Sequence, residues 1–360
     1  MENFSCKTRI ISGAGAIGTL AELKAKRLFL VTDPFFMKNG MADRVVQAAG
    51  AAETAIFDKV APDPTVELAA EGTAKLREFG ADLIVALGGG SAMDCAKAIA
   101  YFGGGDYRLA AIPTTSGSGS EVTDFAILTH NGVKHPLVDS RLRPDVAILD
   151  SDLLSQLPPS LIADAGFDIL AHAAEACCAR DAGAISDCFA REAFAVAYAA
   201  LPASYAGRRE VRLKVHLAAT MAGMAFTTAG LGLCHAMAHA LGGMFHVPHG
   251  RLNAILLPPV ISCNAQAAGG KYARLARAAG ILGSTDAIAV RNLRGGLIRL
   301  RRELELPETL AQAGVKPADV RRGTDEIVQA TLADPCCAAN PVAADDYMVR
   351  RILDEVTGHG

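Results

Sequence analysis

Tryptophan is absent from this 360-residue chain, and Phe and Tyr number only 13 and 6. That is thin material for the aromatic platforms on which single-stranded nucleic acids stack. An excess of positive charge is missing too. Lys and Arg total 35 against 38 Asp and Glu, a net charge of −3, so the chain lacks the basic field that displaces counterions from a phosphate backbone. A nucleic-acid partner is excluded on both counts. The 9 cysteines contain no CxxC pair, and an odd number cannot all pair within one chain. With no apolar leader-like run after Met1, a reduced, cytoplasmic protein is expected. Residues 215–250 hold no Asp, Glu, Lys or Arg, long enough for the ~20 residues of a membrane span. The same stretch carries His216, His235, His239, His246, His249, several glycines and Pro248, which lipid does not tolerate cheaply. It reads as the interior of a large domain, with no membrane role.

What is present is a globular balance of 51% hydrophobic and 20% charged residues, at a length that suggests about two domains. Apolar runs at Leu28–Thr32, Leu83–Leu87, Ala110–Ile112, Phe125–Leu128 and Val146–Leu149 alternate with helical patterns such as Val66–Phe79 and Ser91–Tyr101. This predicts a Rossmann-like α/β domain over residues 1–152, with a parallel sheet covered on both faces. Beyond Leu157-Pro158-Pro159 the texture turns Ala- and Leu-rich and helical, predicting an all-α domain over 153–360.

Gly13-x-Gly15-x-x-Gly18, with Asp33 further on, matches the dinucleotide fingerprint on paper. The run before it is short and starts from Lys7, Thr8 and Arg9, poor material for a central strand. Gly88-Gly89-Gly90-Ser91 is better placed, between the apolar run Leu83–Leu87 and a helix. Glycines there let backbone N–H groups approach a phosphate at the helix N-terminus, and Ser91 and Asp94 have N-cap and N3 spacing. The next strand runs into a second hydroxyl-rich loop, Pro113–Ser120, and two such loops at neighbouring strand ends mark a nucleotide crevice. Asp33, at the end of the Leu28–Thr32 strand, is placed to accept from the adenosine ribose and so to select NAD; its alternative is a turn cap before Pro34.

Four of the 9 histidines fall between 235 and 249. His235 and His239 share one helical face, as do Asp168 and His172. A carboxylate and several imidazoles in an uncharged helical region point to a divalent metal site. The His235-x3-His239 spacing also occurs in metal-dependent hydrolases, but Ala236 stands where an HExxH zincin carries its Glu.

Asp168-x3-His172, Gly232–His239, Val247–Gly250, Gly88–Asp94 and Pro113–Thr123 together resemble the iron-containing (group III) alcohol dehydrogenases, along essentially the whole chain. The resemblance implies a dehydroquinate synthase-like α/β domain followed by the helical one. It implies Asp168, His172, His235 and His249 as metal ligands, and His239 as the catalytic histidine beside them. Gly88, Gly89, Gly90, Ser91, Asp94, Thr114, Thr115, Ser118 and Lys134 fall at cofactor-binding positions, and Phe125, Phe226 and Cys336 at substrate-pocket positions. Ala240, Ser118 and Val342 depart from the usual family residues, none of them at a ligand. The implied cofactors are NAD(H) and Fe(II), with Zn(II) the alternative that the ligands also suit. Within the family, Phe4-Ser5-x-x-Thr8-Arg9 and Ala222–Phe226 look most like the propanol dehydrogenases of propanediol-utilisation pathways. Propionaldehyde and 1-propanol are the expected substrate pair, with lactaldehyde/1,2-propanediol or butanol chemistry as the alternative. A homodimer or higher homo-oligomer is expected, with the shell proteins of a bacterial microcompartment as candidate partners.

Overall fold

The computed structural model describes residues 2–155 and 157–358. The chain divides into two compact units, Cys6–Leu157 and the remainder from Pro158, the latter joined by the first five residues. This differs from a boundary at 152/153. Leu153 is buried in the core of the first unit, so the chain leaves that unit only at Pro158-Pro159. The N-terminal residues belong to the helical unit because Glu2 accepts from Ile185 N and Ser186 N and Phe4 stacks on Phe189.

The first unit is built on β1 (Arg9–Gly13), β2 (Arg27–Val31), β3 (Glu53–Phe57), β4 (Leu83–Gly88), β5 (Arg108–Pro113), β6 (Phe125–His130), β7 (Val133–Val138) and β8 (Val146–Asp150). Helices α1 (Pro34–Lys38), α2 (Met41–Ala49), α3 (Val66–Phe79) and α4 (Gly90–Gly103) connect them. Six strands form one sheet in the order β1-β8-β5-β4-β2-β3, every pair parallel. β4 is buried along its whole length, as a continuous apolar run covered on both faces should be. The chain moves from β2 outward to β3 and then returns to β4 on the other side of β2. The strand order therefore reverses between β2 and β4, and ligands of open parallel sheets bind beyond the strand ends at such a point.

Phe125–Leu128 does not join this sheet. β6 pairs antiparallel with β7 in a separate two-stranded sheet. Asn131 (φ 50°) and Gly132 (φ 77°) close the hairpin with two left-handed residues, the turn whose twist matches a hairpin. One face of β6 is buried through Ala126 and Leu128, which fits a half-covered antiparallel strand better than a central parallel one.

The second unit is helical: α5 (Pro159–Cys178), α6 (Ala184–Tyr205), α7 (Arg212–Ala229), α8 (Leu233–Phe245), α9 (His249–Ala278), α10 (Asp286–Glu303), α11 (Pro317–Ala333), α12 (Pro335–Ala338) and α13 (Asp346–Thr357). The uncharged stretch 215–250 forms most of α7 and all of α8, whose residues are largely buried. No single helix among the described residues is long and apolar enough to cross a membrane. His246, in a left-handed conformation, ends α8, and Pro248 turns the chain into α9. A side chain at Gly250 would collide with the Asp164 carbonyl. That close approach seats the first turn of α9 against α5.

Candidate metal centre and nucleotide loop

Asp168 and His172 lie one turn apart on α5, and both are buried. His235 projects from the first turn of α8 and His249 begins α9. The three elements converge on one carboxylate oxygen: Asp168 Oδ1 lies 3.7 Å from His172 Nδ1, 3.7 Å from His235 Nε2 and 3.4 Å from His249 Nε2. Donors ~2.1 Å from a tetrahedral metal stand ~3.4 Å apart, so this spacing fits such an ion. Ligand atoms of Asp168, His172 and His235 all lie within 4.8 Å of one another. The donor set is one oxygen and three imidazole nitrogens. That set suits a first-row divalent metal rather than calcium or magnesium.

The ionised state of Asp168 agrees with that use, whereas His235 must give up its Nε2 proton to an incoming cation. Burial opposes charge on Asp168, but the imidazoles of His172, His249 and His235 outweigh it and hold the carboxyl well below its usual range. For His235, burial again opposes charge. Hydrogen bonds to Asp168 and Glu175 prevail and push its pKa up to about 9. Phe226 closes one side by stacking on His172, ring centroids 4.4 Å apart. The other side is open, because the His249 side chain is 37% exposed. His239 stacks on His249 there, 5.2 Å between centroids, with its Nδ1 2.9 Å from Asp334 Oδ2. Asp334 also caps α12 by accepting from Cys336 N. The Cys336 thiol lies within 4.8 Å of ligand atoms of both His239 and Asp334, and burial pushes its pKa well up.

In the α/β unit the two glycine motifs have different fates. Gly13 ends the edge strand β1, and the loop after it is already satisfied: Gly15 N and Ile17 N donate to the buried Asp150 carboxylate. An anion has no call on donors so engaged. Gly88–Ser91 instead opens the 14-residue helix α4 with Gly89 at the N-cap and no side-chain cap. The expected Ser91–Asp94 cap does not form. Asp94 accepts from Ser120 Oγ and Ile127 N, because the second loop lies within its reach. A Cβ at Gly88 would lie 2.6 Å from Ala92 Cβ, and one at Gly89 3.2 Å from Thr115 Oγ1. One at Gly90 would lie 3.4 Å from Ser118. The two loops are thus in contact, and Thr114 N donates to Gly88 O. Asp33 follows β2 at the point of strand reversal. Its Oδ1 caps α1 by accepting from Phe35 N and Phe36 N, while its Oδ2 lies 3.8 Å from the Gly88 Cβ position. Lys134 is on the exposed β7, where its ammonium meets Asp63 at 2.6 Å. Phe125 begins β6, and its carbonyl accepts from Lys97 Nζ.

Two family models cover nearly the whole chain: "Iron-containing alcohol dehydrogenase" matches residues 7–151, and "Fe-containing alcohol dehydrogenase family, C-terminal" matches 162–357. The chain belongs to the iron-containing alcohol dehydrogenase family. It is 37% identical to the 1-propanol dehydrogenase PduQ of Salmonella typhimurium, over 99% of this chain and 100% of that one. It is 35% identical to the NADPH-dependent butanol dehydrogenase of Clostridium saccharobutylicum, covering 98% and 97%. Among solved structures, an iron-containing alcohol dehydrogenase from Thermococcus thioreducens superposes with a TM-score of 0.92 at 34% identity, covering 98% of this chain and 99% of that one. A member of this family is an oxidoreductase that interconverts alcohols and aldehydes, which displaces the hydrolase alternative.

For this iron-family chain, residue spacing missed the polar residues that support the cluster. Glu175 receives His235 Nδ1 at 2.6 Å. Asn253 donates to Asp168 Oδ1 at 2.9 Å and lies 3.2 Å from His249 Nε2. Asp334 holds His239. Two local signals exist: Glu175 continues the Asp168–His172 series along α5 by a further three residues, and Asn253 follows His249 by four on α9.

Proposed function

We propose that this chain is an NAD(H)-dependent dehydrogenase working chiefly as a reductase of short-chain aldehydes, with propionaldehyde and 1-propanol as its pair. Its Fe(II) would be held by Asp168, His172, His235 and His249. The observation that carries the reading is the meeting of three imidazoles on one buried carboxylate, beside the partly exposed His249 and His239. When bound, the iron withdraws electron density from an aldehyde oxygen and the reduced nicotinamide supplies the hydride.

The chain's own residues do the rest. Asp168 brings the negative charge that binds a divalent cation, and Asn253 orients that carboxylate. His239 exchanges the proton with the alcohol oxygen at Nε2, its Nδ1–H being donated to Asp334. Phe226 and Cys336 give the pocket an apolar wall that favours an unhydroxylated substrate. Gly88, Gly89, Gly90 and Ser91 offer main-chain N–H groups to the pyrophosphate. Thr114, Thr115 and Ser118 supply hydroxyls opposite them, Asp94 steadies that second loop, and Asp33 receives the ribose. Lys134 completes the cofactor set by leaving Asp63 when the nucleotide arrives. Likeness to the propanol dehydrogenases supports a cytoplasmic homo-oligomer, housed in a bacterial microcompartment with shell-protein partners.

Anaerobic assay of NADH oxidation across two- to four-carbon aldehydes, with metal analysis of the same sample, tests this reading. Iron near one per chain and a preference for propionaldehyde are expected. Zinc as the active metal, or no aldehyde-dependent oxidation, would overturn it.

A further inference from the structure

Glu175 is placed where an isolated carboxylate would be costly. It is 3% exposed, it lies on the Ala-rich helix α5, and among the described residues no Lys or Arg is ion-paired with it. Its compensation comes from the start of α8. Oε2 accepts from Gly232 N at 3.0 Å and His235 N at 3.3 Å, and Oε1 accepts from Cys234 N at 2.6 Å. Leu233 N is taken by Asn340 Oδ1, so these two side chains satisfy the unpaired donors that open the helix. A Cβ at Gly232 would lie 2.8 Å from Glu175 Oε1, and glycine there keeps the approach open. The negative charge therefore lies at the positive end of a helix, where the dipole stabilises it.

That same carboxylate reaches the His235 ring, 2.6 Å from Nδ1. A carboxylate at this distance is an acceptor, so the proton of the neutral imidazole is held on Nδ1 and the lone pair is left on Nε2. Nε2 is the atom that faces Asp168 Oδ1. The main-chain bonds fix the carboxylate and the carboxylate fixes the ring. His235, sandwiched against His172 with centroids 4.4 Å apart, then has one tautomer and one orientation.

We infer that Glu175 is a positioning residue for metal binding: it selects the tautomer of His235 that offers Nε2 to the ion and raises the basicity of that nitrogen. This rests on the reading of Asp168, His172, His235 and His249 as ligands. Loss of a carboxylate in this position weakens metal affinity by ~10- to 100-fold in comparable sites. The competing account is that Glu175 only caps α8, in which case its loss lowers stability and leaves affinity alone.

The test is a titration of cobalt(II) against a chromophoric chelator, with wild type, Glu175→Gln, Glu175→Asp and Asp168→Asn, each checked for folding by circular dichroism. Glu175→Gln keeps the shape but not the charge, and it should bind cobalt ~10- to 100-fold more weakly per folded molecule. Glu175→Asp, should the Gln protein not fold, retains the carboxylate at a shorter reach and should fall between Gln and wild type. Folded Glu175→Gln protein with wild-type cobalt affinity would overturn the inference, as would folded Glu175→Asp protein with wild-type affinity if the Gln protein does not fold. Asp168→Asn separates the two readings. If it also keeps wild-type affinity, the metal centre itself is misassigned; if it loses cobalt while folded Glu175→Gln does not, only the role of Glu175 fails.

Discussion

The helical unit gathers its chemistry from side chains, placing three imidazoles around one carboxylate where α5, α8 and α9 meet. The α/β unit, in the proposed reading, draws on main-chain N–H groups beside the glycines at the mouth of α4, with a single acid, Asp33, at the neighbouring strand end. Removing one side chain from the first should therefore be ruinous. In the second, changes should grade the choice and affinity of the cofactor. Even within the α/β unit the contrast recurs, since the Gly13 loop spends its donors on Asp150 while the Gly88 loop has no side-chain cap. Glycine spacing alone does not make a phosphate site. What already occupies the donors decides it.

The largest expected effect is in the helical unit. His249→Ala or Asp168→Ala should cut turnover below about a tenth of wild type, each removing one of four proposed ligands, while NADH binding to the α/β unit persists. Steady-state rates, metal content and NADH fluorescence titration check this together. A variant that keeps both its metal and its rate would erase the contrast between the units.

Next comes Asp33→Gly, which should weaken NADH use roughly 10- to 150-fold, since a hydrogen bond to a charged group contributes ~1.5–3 kcal/mol. It should raise NADPH use by removing like charge. Asp33 also caps α1, so the change costs roughly a few tenths of a kcal/mol of stability in any case. The ratio of specificity constants for the two cofactors isolates the recognition term. A shift in that ratio of less than about threefold, on the scale of ~1.4 kcal/mol per decade, would leave Asp33 as a cap alone.

Substrate choice should show a comparable or smaller effect. Phe226 presents an apolar ring beside His172, and an unpaired hydroxyl buried against it costs ~1–3 kcal/mol, about 5- to 150-fold. Propionaldehyde should therefore exceed lactaldehyde in kcat/KM. Equal values would mean that a polar partner for the hydroxyl exists in this pocket.

The last effect is on stability, and it belongs to the α/β unit. Lys97 is buried, and desolvation pushes its pKa down to about 8 from the 10.5 of a solvated lysine. Between those values the unfolded chain binds more protons than the folded one, so the contribution of Lys97 to stability rises with pH. Below about pH 8 it is constant. The difference in unfolding free energy between wild type and Lys97→Met should therefore grow from pH 8 to pH 10. A flat difference would show that the three acceptors around its ammonium, Ser120 Oγ, Thr123 Oγ1 and Phe125 O, fully offset its burial.

Much of this was legible in the chain because the signals were local. An unbroken apolar run before Gly88 marks β4, and i,i+4 spacing places Asp168 with His172 and His235 with His239. The edge strand β3 is hidden because it is short and only partly buried, while the equally short β1 shows as a run too poor for a central strand, which fits its place at the edge. The β6–β7 hairpin carried its own signal in Asn131-Gly132, overlooked because Phe125–Leu128 continued a series of parallel-sheet runs. Glu175, Asn253 and Asp334 are different in kind. Their hydrogen-bond partners lie 60, 85 and 95 residues away, so spacing hints only at Glu175 along α5 and at Asn253 one turn after His249, and the packing of α5, α8, α9 and α12 is what brings them to the site.

The central claim is that turnover depends on a metal gathered by Asp168 and its three histidines. The most direct measurement strips the anaerobically purified protein with a chelator, then follows NADH-dependent reduction of propionaldehyde as Fe(II) is restored. Activity should vanish on stripping and return in proportion to iron, reaching its maximum near one ion per chain. Undiminished reduction by the metal-free protein would contradict the account.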